Sequence, residues 1–344
     1  MDFQSTVQKY RSLIDSELCR FFNDRIAEAP SADISALLGN LKEFNLRGGK
    51  RLRPILAIIA YKSFGGKDEK AMIKAAISIE LMQSFLLMHD DIMDQSETRR
   101  NGPTMHKIYG KTGGKTYGES VAIDAGDLLA ALANEVLSQS NFSDEKKIKV
   151  MRKFNEVIKT TCYGQFLDLN SAKKKMTESD IAKIHQAKTA AYTIEGPLHI
   201  GAILAGAKES ELTKISNFAI PLGQAFQIQD DIIGMFGDEE KTGKPIDSDL
   251  KEGKKTLLII HALENSSEKQ RKKLLAALGN KNLSRSQFAE AQKIIAETGS
   301  LDYSVKTAKN LIDISKKELF QSKLSREGKE FLTALADYVI NRSK

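Results

Sequence analysis

At 344 residues the chain is long enough for one large or two ordinary domains, and six prolines, no tryptophan and no period-two run of β-branched residues argue against a sheet-rich fold. Two cysteines, Cys19 and Cys162, make neither a disulfide framework nor a metal site. The net charge of +7 arises from 52 basic residues interleaved with 45 acids, not from a basic stripe with aromatic platforms, so nucleic acid is not an expected partner and a mild attraction for anionic substrates is.

The opening MDFQSTVQKYRS lacks a basic region followed by an apolar one, and no run approaches about 18 apolar residues, so a cytoplasmic chain without stable membrane insertion is expected. Residues 1 to about 29 pattern as an amphipathic helix stopped by Pro30, and 37–44 as a second, short helix. Gly48-Gly49 then precede Lys50-Arg51-Leu52-Arg53, with Pro54 in the first turn of the helix PILAIIAYKSF. Free N–H groups beside basic side chains suit an anion, although an ordinary turn with surface lysines has the same pattern. Apolar residues at spacings of three and four, among them Ile73, Ile77, Leu81 and Phe85, carry the next helix from Lys70 to an acidic end at Asp90, Asp91 and Asp94.

On a helix Asp90 and Asp94 share one face, with Asp91 about 100° round. Carboxylates this close repel unless a cation lies between them, and hard oxygen ligands suit Mg2+. Arg99 and Arg100 follow within two turns, which suggests an anion held through metal on one side and by guanidinium forks on the other. Taken alone, the cluster reads equally well as a solvated, salt-bridged face.

Residues 109–118, YGKTGGKTYG, read as a loop but not as a P-loop, because three residues instead of four separate Gly110 from Gly114 and no strand precedes them. Helices are expected from about Ser120, from Ser143 and, opened by a Thr177/Asp180 capping box, through Lys188-Thr189 to a bend near Pro197, Gly201 and Gly206. Residues 217–236 form a second acidic-ended helix carrying Asp230 and Asp231, followed by a basic loop with Lys244, Lys254 and Lys255. Polar-capped helices complete the chain, with stops at Gly279 and Gly299 and further starts near Tyr303 and Ser325. Two sites that each pair acids with bases can clamp one polyanion, and with no linker in view a single domain spanning 1–344 is expected.

Taken jointly and in chain order, GGKRLRP at 48–54, the DDxxD at 90–94 with Arg99-Arg100, Lys188-Thr189, and FQIQDD at 226–231 with Gly237-Asp238 are similar to the trans-isoprenyl diphosphate synthases, the polyprenyl synthetase family. The resemblance spans about residues 45–256. It implies an all-α, single-domain bundle of about ten or more helices around a central cavity, the isoprenoid synthase fold. It also implies a homodimer that condenses isopentenyl diphosphate with allylic diphosphates through a carbocation, using Mg2+ at three ions per active site. Carried over by position, Asp90, Asp94 and Asp230 resemble direct metal ligands, and Asp91 and Asp231 act mainly through waters. Arg99, Lys188, Lys244 and Lys254 resemble the allylic diphosphate site, and Lys50, Arg53, Gln83 and Arg100 the isopentenyl diphosphate site. Thr189 and Gln227 offer oxygens near the cation.

Some residues depart from the family pattern. The second motif reads DDxxG, with Gly234 where many relatives carry a third Asp, and Gln83 stands where many bacterial members have His. His89 gains no assigned role. Arg342 and Lys344 read as a frayed surface tail, with closure over the site, as in some relatives, the alternative. A terpene cyclase is disfavoured because it would carry a different second metal motif. A non-catalytic subunit is disfavoured because both Asp motifs remain.

Product length is expected to depend on the helix leading into Asp90. Position 86 lies about 6 Å below it on nearly the same face, and position 85 about 7.5 Å below on a flank. Phe85 is aromatic, Leu86 is not, and nothing is inserted in the motif, which resembles archaeal-type geranylgeranyl diphosphate synthases. Plain core packing at both positions is the competing reading.

Overall fold

Side-chain caps set where many of the helices begin. In the computed structural model, which describes residues 2–171, 173–237 and 246–342, Asp2 caps α1 (Phe3–Ala27) and Ser31 caps α2 (Ala32–Leu46), each accepting a backbone N–H three residues on. After α3 (Leu52–Ser63), Asp68 does the same for α4 (Glu69–Met93). A two-stranded hairpin, β1 (Thr98–Arg99) and β2 (Gly102–Pro103), interrupts the helices before α5 (Met105–Ser138) and α6 (Asp144–Ser171). The Thr177/Asp180 capping box opens α7 (Glu178–Ile184), which continues as a π-helical segment, His185–Glu195, and then α8 (Gly196–Ala205). There follow α9 (Glu209–Phe236), α10 (Ser248–Glu252), α11 (Leu257–Asn265) and α12 (Glu268–Ala277). The last helices are α13 (Arg285–Glu297), α14 (Ser300–Leu319) and α15 (Arg326–Asn341). The fold is all-α, as the composition indicated.

The chain forms two compact units: Met1–Asn155 with Pro197–Lys208 and Leu324–Gly328, and Glu156–Gly196 with Glu209–Lys323 and Lys329–Lys344. In the first, α4 is the central element. Ala75, Ala76, Ile79, Leu81 and Met82 are fully buried, and Gly201 of α8 lies so close to α3 that a Cβ there would stand 1.9 Å from the Ala57 carbonyl oxygen. An 18-residue window of α4 has a mean hydropathy of 1.5, enough to cross a bilayer by length and composition, contrary to the expectation that no such run exists. Because 83% of that window is buried inside the protein, α4 is a core helix.

In the second unit the π segment packs between α6 and α9 through two glycines. A Cβ on Gly164 would stand 2.4 Å from the Lys188 nitrogen, and one on Gly223 would stand 2.4 Å from the Ala190 Cα. Here α14 is held to α9 by Ser315 Oγ donating to the Phe218 carbonyl at 2.9 Å.

Three boundaries differ from the sequence expectation, the first being α2, which begins at Ala32, five residues ahead of the expected 37. Residues 109–118 are helical, with α5 kinked at Gly114 (φ 82°, ψ 174°), so the glycines bend a helix instead of forming a loop. Helix α9 begins at Glu209, eight residues ahead of Asn217, and runs through Pro221.

Candidate active site

The end of α4 concentrates negative charge where the helix dipole is already negative. Its last turn contains no basic residue, and the three carboxylates of the DDxxD lie there, so this end favours a cation. The chain then leaves by a Schellman turn: Ser96 N–H donates to the Asp91 carbonyl at 2.9 Å, Gln95 N–H to that of Ile92 at 3.2 Å, and Gln95 takes a left-handed φ of 54°.

The hairpin turns on Arg100 (φ 51°) and Asn101 (φ 61°), both in the positive-φ region that a two-residue turn of this hand requires. It brings Arg99 back onto the acids, where Nε donates to Asp91 Oδ1 at 2.7 Å and Nη2 lies 3.4 Å from Asp90 Oδ2. Asp91 is 1% exposed on its side chain and Asp90 25%. Burial opposes the charge on Arg99, but its hydrogen bond to Asp91 and the nearby charges of Asp91, Asp90 and Asp94 hold its pKa above the ordinary value.

The sequence-predicted isopentenyl diphosphate residues all lie in this unit, and Arg100 approaches the glycine pair that precedes Lys50. The Arg100 guanidinium lies over Gly49, since a Cβ there would stand 3.3 Å from Arg100 Cζ, and Gly48 and Gly49 have φ of 94° and 115°. Lys50 is exposed, and Arg53 and Gln83 are half-buried. Arg51 points the other way. It is 2% exposed, with Nε donating to Asp15 at 2.7 Å, Nη1 to Glu80 at 2.6 Å and Nη2 to the Asn45 carbonyl at 2.6 Å, so one arginine of the basic run ties the core together. Arg47 clamps the hairpin by donating to the Pro103 carbonyl at 2.6 Å. Gly102 makes room for it, because a Cβ there would stand 2.6 Å from the guanidinium.

At the end of α9 a chain of hydrogen bonds links the predicted residues. Thr189 Oγ1 donates to Gln227 Oε1 at 2.6 Å, and Gln227 Nε2 donates to Asp231 Oδ1 at 2.8 Å. The other Asp231 oxygen is buried, accepts no hydrogen bond and lies 3.4 Å from His185 Nε2. Lys188 Nζ is bound to Asp168 at 2.6 Å. Lys254 Nζ is bound to Asp249 at 3.2 Å and to Glu252 at 2.6 Å. Lys244, Asp238 and Lys344 lie outside the described residues.

The C-terminus corrects the sequence expectation. Arg342 is not a frayed tail: Nη2 lies 2.6 Å from Asp230 Oδ1 and donates to the Phe226 carbonyl at 2.7 Å, and the guanidinium stacks 3.9 Å over the Phe226 ring. Gln229 completes the attachment by donating to the Arg342 carbonyl at 3.2 Å.

Among the described residues no three His, Cys, Asp or Glu side chains gather as a ready-made metal cage. Mg2+ is commonly held by one or two carboxylates together with substrate phosphates. Each helix end, with hard oxygens at its negative pole, therefore fits a Mg2+ that arrives with a phosphate ligand.

The polyprenyl synthetase family model matches residues 35–295, more than half of the chain and both acidic motifs. The chain belongs to the polyprenyl synthetase family. It is 38% identical to the geranylgeranyl diphosphate synthase of Sulfolobus acidocaldarius over 336 residues, covering 96% of this chain and 98% of that one. It is 35% identical to the geranylfarnesyl diphosphate synthase of Aeropyrum pernix over 303 residues, covering 86% of this chain and 91% of that one. In structure it is similar to the geranylgeranyl pyrophosphate synthase of Corynebacterium glutamicum complexed with isoprenyl diphosphate and magnesium. The TM-score is 0.92 at 29% identity, covering 99% of this chain and 100% of that one.

Measured against this polyprenyl synthetase pattern, Gly234 has a physical counterpart. A Cβ at that position would stand 2.8 Å from Asp249 Oδ2, so the carboxylate of α10 comes close to where relatives carry a third Asp. Asp249, Asp168 and His185 had no sequence signal of their own, since each is recognisable only by the group it faces.

Proposed function

We propose that this chain is a Mg2+-dependent trans-prenyltransferase that condenses isopentenyl diphosphate with allylic diphosphates and releases geranylgeranyl diphosphate. The observation that carries the reading is the Thr189–Gln227–Asp231 chain at the acidic end of α9. The Thr189 proton is committed to Gln227, and a Gln227 amide N–H to Asp231, so the groups left for a neighbouring carbocation are oxygen lone pairs. The π segment supplies the local geometry, placing Lys188 and Thr189 on wide turns of the kind often found at functional sites.

Asp90, Asp94 and Asp230 hold Mg2+, three ions per active site, and Asp91 and Asp231 act through waters. When bound, the metal stabilises the negative charge that gathers on departing diphosphate. Arg99, Lys188, Lys244 and Lys254 hold the allylic diphosphate, which at Lys188 and Lys254 joins or replaces carboxylates already present. Lys50, Arg53, Gln83 and Arg100 hold isopentenyl diphosphate. The tail grows along α4 towards Phe85, which is 8% exposed, past the half-buried Leu86. Likeness to a geranylfarnesyl diphosphate synthase makes a slightly longer product the second reading, and a farnesyl product is the third. On this reading residues 1–344 work as one isoprenoid synthase domain in a cytoplasmic homodimer.

The test is incubation with isopentenyl diphosphate, Mg2+ and each of the dimethylallyl, geranyl and farnesyl primers, with products resolved by chain length. Geranylgeranyl diphosphate from each primer, and none with chelator, is expected. No condensation with any primer would overturn the reading.

A further inference from the structure

His89 precedes the first Asp motif and has no partner in the reaction described above, yet its position is closely specified. One turn along α4 from Phe85, its ring meets the Phe85 ring edge to face, with centroids 5.0 Å apart and planes at 83°. Its Nε2–H donates to the Ile123 carbonyl of α5 at 3.1 Å, and Asp127 Oδ1 lies 3.7 Å away. The slot that receives it exists because residue 126 is glycine. A Cβ there would stand 2.4 Å from His89 Nε2 and 2.7 Å from Cδ2. Glycine in the middle of a helix is unfavourable relative to alanine, and Gly126 has no positive φ to explain it. The close approach of His89 does.

We propose that His89, seated in the Gly126 slot, is the positioning residue that braces Phe85 as the floor against which the prenyl chain stops. The proposal rests on the reading of Phe85 as that floor. Phe85 is tied to nothing by a polar group, so its ring is held by packing alone. An edge-to-face aromatic contact biases a rotamer population by about two- to tenfold. The hydrogen bond to Ile123 and the glycine slot fix the imidazole, and the imidazole in turn fixes the phenyl ring. Without the brace, the Phe85 ring has the vacated slot to turn into, and the chain gains depth.

The test compares product lengths from Phe85→Ala, His89→Ala, Gly126→Ala and the Phe85→Ala/His89→Ala double variant, all at saturating isopentenyl diphosphate. Phe85→Ala is expected to lengthen the products most. His89→Ala should raise the fraction longer than geranylgeranyl by about two- to tenfold, and the double variant should match Phe85→Ala alone, because His89 acts only through Phe85. Gly126→Ala, which evicts the ring while improving helix propensity, should shift products the same way as His89→Ala. It is the variant to read if His89→Ala does not fold by circular dichroism. Lengthening in Phe85→Ala with a wild-type distribution in both His89→Ala and Gly126→Ala would overturn the brace and leave the floor standing. A wild-type distribution in Phe85→Ala would overturn the floor and the brace together. A double variant with longer products than Phe85→Ala would show that His89 acts independently, which also overturns the proposal.

Discussion

The acidic ends of α4 and α9 each set an arginine against carboxylates, but with different partners and different burial. At α4 the arginine is local: Arg99 lies eight residues beyond Asp91 and pairs with a carboxylate whose side chain is 1% exposed. At α9 the arginine is Arg342, just past the last helix, and it pairs with Asp230, which is 44% exposed. In both places the buried acid is tied to the protein, Asp91 to Arg99 and Asp231 to Gln227. The more exposed acids, Asp90 and Asp230, are the ones the reading assigns to metal. Both arginines are largely buried, and the difference lies in the acid: Asp91 is enclosed with its partner, whereas Asp230 keeps an open side that can also take a cation.

That contrast can be broken in three ways, in order of expected size. Asp90→Asn removes a charged ligand from a group that changes little in burial, so turnover should fall by about 10²- to 10³-fold, the loss typical of one electrostatic stabiliser, with helicity unchanged by circular dichroism. Near wild-type turnover would remove Asp90 from the metal site. Arg99→Ala strands the buried Asp91 charge, and denaturant titration should show a loss of about 3–5 kcal/mol, the usual result of breaking a buried pair. A loss under about 1 kcal/mol would put this pair in the surface class. Arg342→Ala should act mainly on metal binding. Asp230 is 44% exposed and is not stranded by the change, so the loss of stability should stay below that of Arg99→Ala, at about 1–2 kcal/mol for the buried guanidinium's hydrogen bond and its stacking on Phe226, while the Mg2+ concentration for half-maximal turnover should fall about two- to fivefold as a competitor for Asp230 is removed. A higher Mg2+ requirement would mean that Arg342 helps to build the site instead of blocking it.

What the sequence disclosed follows from how local each feature is. The capping box at Thr177 lies within three residues of its partner Asp180 and forms as the pattern requires. The acidic helix ends were likewise readable, because spacing alone puts Asp90 and Asp94 on one face. The π segment was not, since an apolar pattern over 11 residues does not distinguish it from an α-helix. Nor could the basic run at 50–53 reveal that Arg51, in left-handed conformation at φ 51°, turns into the core towards Asp15 and Glu80. Glycines misled at 109–118, where they kink a helix, and were silent at 126, where the reason for one lies on α4. Arg342 was misread because nothing local in the sequence links it to Asp230, more than a hundred residues earlier, although Asp230 itself was readable as part of the second acidic motif.

The central claim is that the carboxylates at the ends of α4 and α9 bind Mg2+ only in company with a diphosphate. Isothermal titration of the protein with Mg2+, with and without a non-ionising allylic thiodiphosphate, tests it directly. The account predicts weak binding alone and binding at least about tenfold tighter with the thiodiphosphate, with that gain lost in both Asp90→Asn and Asp230→Asn. Equal Mg2+ affinity with and without the thiodiphosphate would contradict it.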